Sequence, residues 1–204
     1  MKLWKVVLLV FAAAIIIAVA YGASVIRGGF STRTQPSRLE AVVARMVRSW
    51  SIPRLDREEP NPWAEAVTTE VMADARAHWA DHCATCHAND GSGNTEIGQN
   101  LYPKAPDMRL PATQNLTDGE LYYIIRNGIR LTGMPAWGDP ETLQDDDSWH
   151  LVLFIRHLSH VTPEELKEME RLNPKTEAQR VAEIEAERFL NEGTAPQSRE
   201  QMHH

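Results

Sequence analysis

The only two cysteines of this 204-residue chain stand three positions apart in Cys83-Ala84-Thr85-Cys86-His87, with a histidine directly after the second. C-x-x-C-H is the pattern of covalent c-type haem attachment. On one turn of helix, positions three and four apart share a face, so both sulfurs and the imidazole point the same way. The cysteines would bond to the vinyl groups of one haem, while His87 comes up under the iron as the proximal ligand. Random placement of 2 Cys and 8 His would give this pattern only about four times in ten thousand, so coincidence is a poor account of it. The other readings of a C-x-x-C lack their context. A thioredoxin-like dithiol needs a βαβ setting, and a zinc site needs further thiolate or imidazole ligands at suitable spacing.

A second axial ligand belongs downstream, and Gly133-Met134-Pro135-Ala136-Trp137-Gly138 supplies the candidate. Proline holds its predecessor out of the helical region, so Met134 sits on a stiff, irregular loop that can aim a thioether at iron. Core filling is the ordinary role of a methionine, and Met108 is the main rival. His78 and His82 precede the attachment motif on the same helix and so approach from the proximal side. Trp137 either packs beside a haem propionate or anchors its loop.

The elements that must hold these residues read as helices. Thr69 is placed to cap a helix running through Glu70, Val71, Met72, Ala75 and Trp79 into the motif. Thr117 and Glu120 form a capping box ahead of Leu121, Ile124 and Ile125, with Asn127-Gly128 as the stop. Asp145, Asp146 and Asp147 load the start of a last helix with negative charge; an acidic docking patch is the functional reading of the same residues. No alternating β-branched runs line up as a sheet. Gly91-Ser92-Gly93 is a flexible turn and not a phosphate cradle, since no Lys-Ser or Lys-Thr follows it.

From these residues the chain resembles the class I cytochrome c family over roughly residues 68 to 160. Ala75, Trp79 and Cys83 match the family's small residue, aromatic and first cysteine spaced by fours, with alanine where glycine is commoner. Trp149 to Leu158, containing Phe154, is similar to the closing helix whose aromatic packs on the first. Gly91 to Asn94 and Leu101 to Asp107 are similar to the loop that runs past the proximal histidine. In that loop Pro103 or Pro106 is placed to offer a carbonyl to the second nitrogen of His87, fixing its ring. The resemblance implies an all-α cytochrome c fold of three main helices around one covalently bound haem c. It also implies Cys83, Cys86, His87 and Met134 as haem-binding residues, with His87 and Met134 on the iron.

Outside residues 68–160 the expected organisation is an anchor at 1–28, a proline-containing linker at 29–67 and a polar helical tail at 161–204. Val6 to Ile26 holds no charge, with Lys2 and Lys5 before it and Arg27 after it. It is long enough to cross a bilayer. Ala18-Val19-Ala20 reads as an alternative signal-peptide cleavage site, but the apolar run continues past it, which favours an uncleaved transmembrane helix. The basic residues on both flanks leave orientation undecided. The resemblance implies haem attachment outside the cytoplasmic membrane, and hence a haem domain on the periplasmic side. Within the linker, Leu39, Val42, Val43, Met46, Val47 and Trp50 recur at helical spacing with Arg38, Arg45 and Arg48 around the axis, giving a helix over about 37–50. It would pack on the haem domain, lie in the membrane interface, or dock a partner helix. Strung out, the linker would reach on the order of 100 Å. In the tail, Thr162-Pro163-Glu164-Glu165 starts one helix, Asn173-Pro174 breaks it, and Thr176 to about Asn191 forms a second, ended by Gly193. This tail reads as a solvated or partner-bound appendage, and the terminal His203 and His204 as disordered or non-native residues rather than ligands.

The chain carries a formal charge of −7, and residues 70–160 hold 13 acidic against 6 basic residues. An acidic head favours a basic docking surface on a redox partner and disfavours nucleic acid; plain solubility explains it equally well. The expected function is a one-electron carrier, not itself an enzyme, passing electrons between redox proteins, with no small-molecule substrate. One alternative is a fixed haem-bearing subunit of a larger membrane oxidoreductase or oxidase. A second is a haem enzyme or gas sensor with an open or labile distal position.

Overall fold

The structure is a computed structural model that describes residues 3–29, 31–139, 141–142 and 145–193, the last three without their side chains. Lys2, His203 and His204 lie outside the described residues. Among the described residues every regular element is helical, as expected.

Helix α1, Leu3–Arg27, has its side chains exposed along most of its length. Its 25 residues give about 37 Å of rise, against about 30 Å for a hydrocarbon core. It therefore has the length and composition of a membrane span. Helix α2, Arg38–Ser51, starts where the Ser37 hydroxyl accepts a hydrogen bond from the Glu40 N–H. Helix α3, Arg54–Glu58, packs on the later helix α8, Asp118–Asn127. That approach requires Gly119, since a Cβ there would fall 1.9 Å from the Asp56 carbonyl oxygen. Ile52 and Asn61 are buried, so the second half of the linker is folded against the head and not strung out.

Helix α4, Thr69–His78, is capped one residue earlier than the sequence suggested. The Thr68 hydroxyl accepts the Val71 N–H at 3.2 Å, and Thr69 is already helical. Helix α4 crosses helix α9, Asp146–His157, and the two bury Ala75, Trp79, Val152 and Phe154 between them. The Trp79 and Phe154 rings lie 5.5 Å apart, the aromatic contact expected between first and closing helices. Each buried ring of this kind contributes about 1.5–3 kcal/mol. Helix α8 closes the third side: Tyr122 stacks on Trp149 at 4.0 Å and 8°. The Thr117–Glu120 capping box forms in full, and Gly128 ends the helix as predicted.

The tail departs from expectation. Helix α10, Pro163–Leu172, docks on the core instead of standing in solvent. Met169 is fully buried, Arg76 pairs with Glu165 at 3.1 Å and with Glu168 at 2.8 Å, and Asn173 donates to the Ala80 carbonyl at 2.8 Å. One apolar residue aimed at a preformed surface was enough, and a thin stripe hid it in the sequence. Helix α11, Glu177–Gly193, is exposed over its described side chains.

Candidate functional site

Helix α4 runs into a wide π-type turn, Trp79–Cys83, followed by a short helix α5, Ala84–His87. The turn closes through the Ala84 N–H on the Trp79 carbonyl, one residue beyond α-helical spacing. Such bulges re-aim side chains at functional sites, and this one sets the phase of the Cys83–His87 turn. Ala88 then leaves the helix at φ 62 and ψ 160, a conformation that costs a non-glycine residue about 1–3 kcal/mol. It is held from both sides: its N–H donates to Ala84, and its carbonyl accepts the Trp79 indole N–H at 3.1 Å. Sequence reading missed both the wide turn and the strained alanine, because neither has a residue signature.

The two cysteines are free. Burial, and then the neighbouring Cys86, push the Cys83 thiol up to about 12, and burial also raises Cys86. Buried protonated thiols are poor at disulfide exchange. Burial lowers His87, which favours the neutral imidazole that binds metals.

A loop from Gly91 to Met108 covers this turn. The Gly93 N–H donates to the His87 carbonyl at 2.8 Å, and the Thr95 hydroxyl to the Cys86 carbonyl at 3.2 Å. Gly98 abuts the motif so closely that a Cβ would sit 2.1 Å from the Cys86 carbonyl oxygen. Arg109 bridges Asp90 at 3.0 Å and Asp107 at 2.8 Å and so ties the loop's two ends together. The expected bond from His87 to a proline carbonyl is not made: Nδ1 is buried without a hydrogen-bond partner. The reason lies in how the loop is held. The Ala105 N–H is spent on the Gly98 carbonyl, and the Ala105 and Pro106 carbonyls crowd the open side of Gly93. Met108 packs against the core cluster.

Met134 is half-buried in a loop stitched to the end of α8. The Ile129 N–H donates to the Met134 carbonyl at 3.1 Å, and the Met134 N–H to the Thr132 hydroxyl at 3.1 Å. Beyond it, the Trp137 and Gly138 N–H groups donate to the Ile125 and Arg126 carbonyls. The Trp137 ring lies 5.2 Å from His82, which in turn lies 5.0 Å from His78. The segment that follows Met134 therefore touches the turn that leads into the attachment motif, through Trp137 and His82. Trp137, still 41% exposed, and Ile97, 49% exposed, leave apolar surface open beside the motif.

These residues fit a haem. The imidazole of His87 is committed to no hydrogen bond, the two thiols are unpaired, and apolar side chains stand uncovered nearby. A simple metal centre is not indicated, since no group of three His, Cys, Asp or Glu converges among the described residues. Residues 70–155 match the family model described as cytochrome c oxidase, cbb3-type, subunit III. This segment is a c-type cytochrome domain. The cytochrome domain begins at the second residue of α4 and ends in α9, so the matched stretch holds the crossed helices, the attachment turn and the Met134 loop together. It implies haem c, electron transfer and redox protein partners. No curated protein matches the chain.

Proposed function

We propose that the chain is a membrane-anchored monohaem cytochrome that passes single electrons between redox proteins on the extracytoplasmic face of the cytoplasmic membrane. One juxtaposition supports this reading above all: Cys83, Cys86 and His87 lie on one turn, and the loop bearing Met134 reaches the same helix through Trp137 and His82. In this reading Cys83 and Cys86 would hold one haem c through thioethers, and His87 and Met134 would bind its iron. Bound haem supplies a reversible one-electron change at iron. Trp79 and Ala88 fix the last turn of the helix, the Gly91–Met108 loop keeps water from the backbone of the motif, and the stitched Met134 loop limits how far its thioether can move. Two protein ligands leave no open position for a substrate. A soft thioether holds the potential above that of a bis-histidine haem. Helix α1 is the anchor, and the head lies on the side where c-type haem is attached.

Material matured in a host competent for c-type haem is expected to keep its pigment in acidified acetone and to gain one haem in mass per chain. Met134→Ala should abolish the sulfur-to-iron charge-transfer band of the oxidised protein; an unchanged band removes Met134 from the site. A second reading, the fixed subunit of a membrane oxidase, is favoured by the similarity of residues 70–155 to an oxidase subunit family. Stable co-purification with a larger haem complex in detergent would select it over a free carrier.

A further inference from the structure

Helix α2 is inverted with respect to its protein. Its polar side faces the head: Glu40, Ala41, Arg48 and Ser49 are half-buried, the Glu40 carboxylate accepts the Tyr102 hydroxyl, and the Ser49 carbonyl accepts from Arg57. Its apolar stripe faces away. Leu39, Val42, Val43, Met46, Val47 and Trp50 are all exposed, Trp50 by 76% and Leu39 by 73%. At 100° per residue these six fall within one arc of about 140°; Ala41 and Arg48 lie opposite its centre, and Glu40 and Ser49, which grip the head, stand at its two edges. Packing on the haem domain, one of the three roles open from sequence, is thus carried out by the wrong face to bury them. An apolar stripe of this size left in water marks an interaction surface.

Three observations say what covers it. Helix α1 ends at Arg27 and α2 begins at Arg38; the intervening chain spans at most about 35 Å, which keeps α2 near the end of the membrane span. Near that end Gly22 and Ala23 are half-buried in an otherwise exposed helix. The charge around the stripe is basic: residues 28–51 hold Arg33, Arg38, Arg45 and Arg48 against Glu40 alone. Arg27, Arg33, Arg38 and Arg45 form no ion pair among the described residues. Cationic flanks beside a stripe of Leu, Val, Met and Trp suit anionic headgroups above acyl chains.

We propose that α2 lies in the interface of the bilayer that α1 enters, with its apolar stripe in the upper acyl region and its exposed Arg38 and Arg45 among lipid phosphates. The helix then works as a cradle. Its lower face holds lipid, its upper face holds Tyr102 and the α3 segment, and the head is kept in one orientation on the membrane surface. This rests on the anchoring reading of α1 and is independent of haem ligation.

The test uses the full chain in vesicles of phosphatidylcholine with a minority of phosphatidylglycerol, carrying one spin label at a time. Labels at Val43→Cys and Met46→Cys report on the stripe, Ile16→Cys on α1, and the exposed Glu170→Cys on water. Relative accessibility to oxygen and to a water-soluble nickel chelate is read. The stripe labels are expected to resemble Ile16, several-fold more accessible to oxygen than to the chelate, with Glu170 reversed. Stripe labels that resemble Glu170 overturn the proposal, as do stripe labels shielded from both reagents, which would mean a partner helix or a second copy. An Ile16 label in water overturns the anchor instead, so the two failures are distinguishable. Without any introduced cysteine, brominated lipid should quench a tryptophan component that Trp50→Phe removes; an unaltered quenching profile also overturns the proposal.

Discussion

Gly128 is where backbone geometry and the Met134 loop meet, and Gly128→Ala is the sharpest test of that coupling. Gly128 sits at φ 66 and ψ −171, a region that only glycine occupies readily and that costs another residue about 1–3 kcal/mol. A Cβ there would also lie 2.7 Å from the Ala136 nitrogen and the Pro135 carbonyl carbon, and 2.8 Å from the Met134 carbonyl oxygen. These are backbone atoms and cannot swing aside, so overpacking adds about 1–3 kcal/mol. The strain must be relieved by moving either the end of α8 or the loop. The α8 end is continuous with a buried helix containing Leu121, Tyr122 and Ile125. The loop is held by three hydrogen bonds, from Ile129, Trp137 and Gly138, each contributing about 0.5–1.5 kcal/mol net.

Moving the loop relieves the clash of about 1–3 kcal/mol and not the backbone strain at position 128; that clash is comparable to the loop restraint of about 1.5–4.5 kcal/mol, and the loop, with less buried apolar surface than α8, yields first. Gly128→Ala should therefore weaken or abolish the sulfur-to-iron charge-transfer band although Met134 is untouched, lower the reduction potential, and leave the covalent haem in place. Every 1.4 kcal/mol of strain taken up by the loop lowers the ratio of ligated to unligated protein about tenfold. Gly29→Ala is the control, since φ there is 78 but no atom lies within 4 Å of the added Cβ; the band should be unaffected. A Gly128→Ala protein with a full band and an unchanged denaturation midpoint would refute the account of this loop.

Met169→Ala should cost about 2–5 kcal/mol, because the side chain is fully buried under α10; denaturant unfolding of the full chain in detergent measures it. Trp79→Phe keeps an aromatic ring but removes the indole hydrogen bond to the Ala88 carbonyl, which retains only the Gly91 N–H at 3.2 Å; this should cost about 0.5–1.5 kcal/mol and broaden the haem spectrum if the attachment turn loosens. Burial acts to raise Glu165, but hydrogen bonds from the Thr162 N–H and from His157 outweigh it and hold the carboxyl low. Its contribution to stability is thus present above the ordinary glutamate value of about 4.3 and is lost as pH falls through the lower folded value. Glu165→Gln should flatten that acid limb in thermal melts, and an unchanged limb would remove the residue from it.

Much of this was legible because the informative residues act locally. Thr117 and Thr162 cap the helices they precede, as their sequence context implies, and a cap depends on neighbours within three positions. Trp79 and Phe154 were expected as a crossed pair because the family resemblance implies a closing helix whose aromatic packs on the first. What escaped was decided between distant segments. Gly119 opens α8 to the Asp56 carbonyl, Asn173 reaches the Ala80 carbonyl, and α10, which carries Met169, finds a surface assembled from α4 and the wide turn Trp79–Cys83. None of these contacts alters a periodicity or a composition. The linker shows the same division more sharply. Its helical period was correct to a residue, with Ser37 as cap and the chain turning out at Ile52, but the period says only that one face is apolar. Whether that face turns toward the protein is settled by which polar groups find partners across the interface. Here Glu40 finds Tyr102 and Ser49 finds Arg57, and those two contacts commit the apolar stripe to the outside. A helix held by its polar side is the arrangement expected when the apolar side already has a solvent of its own, and beside a membrane span that solvent is lipid.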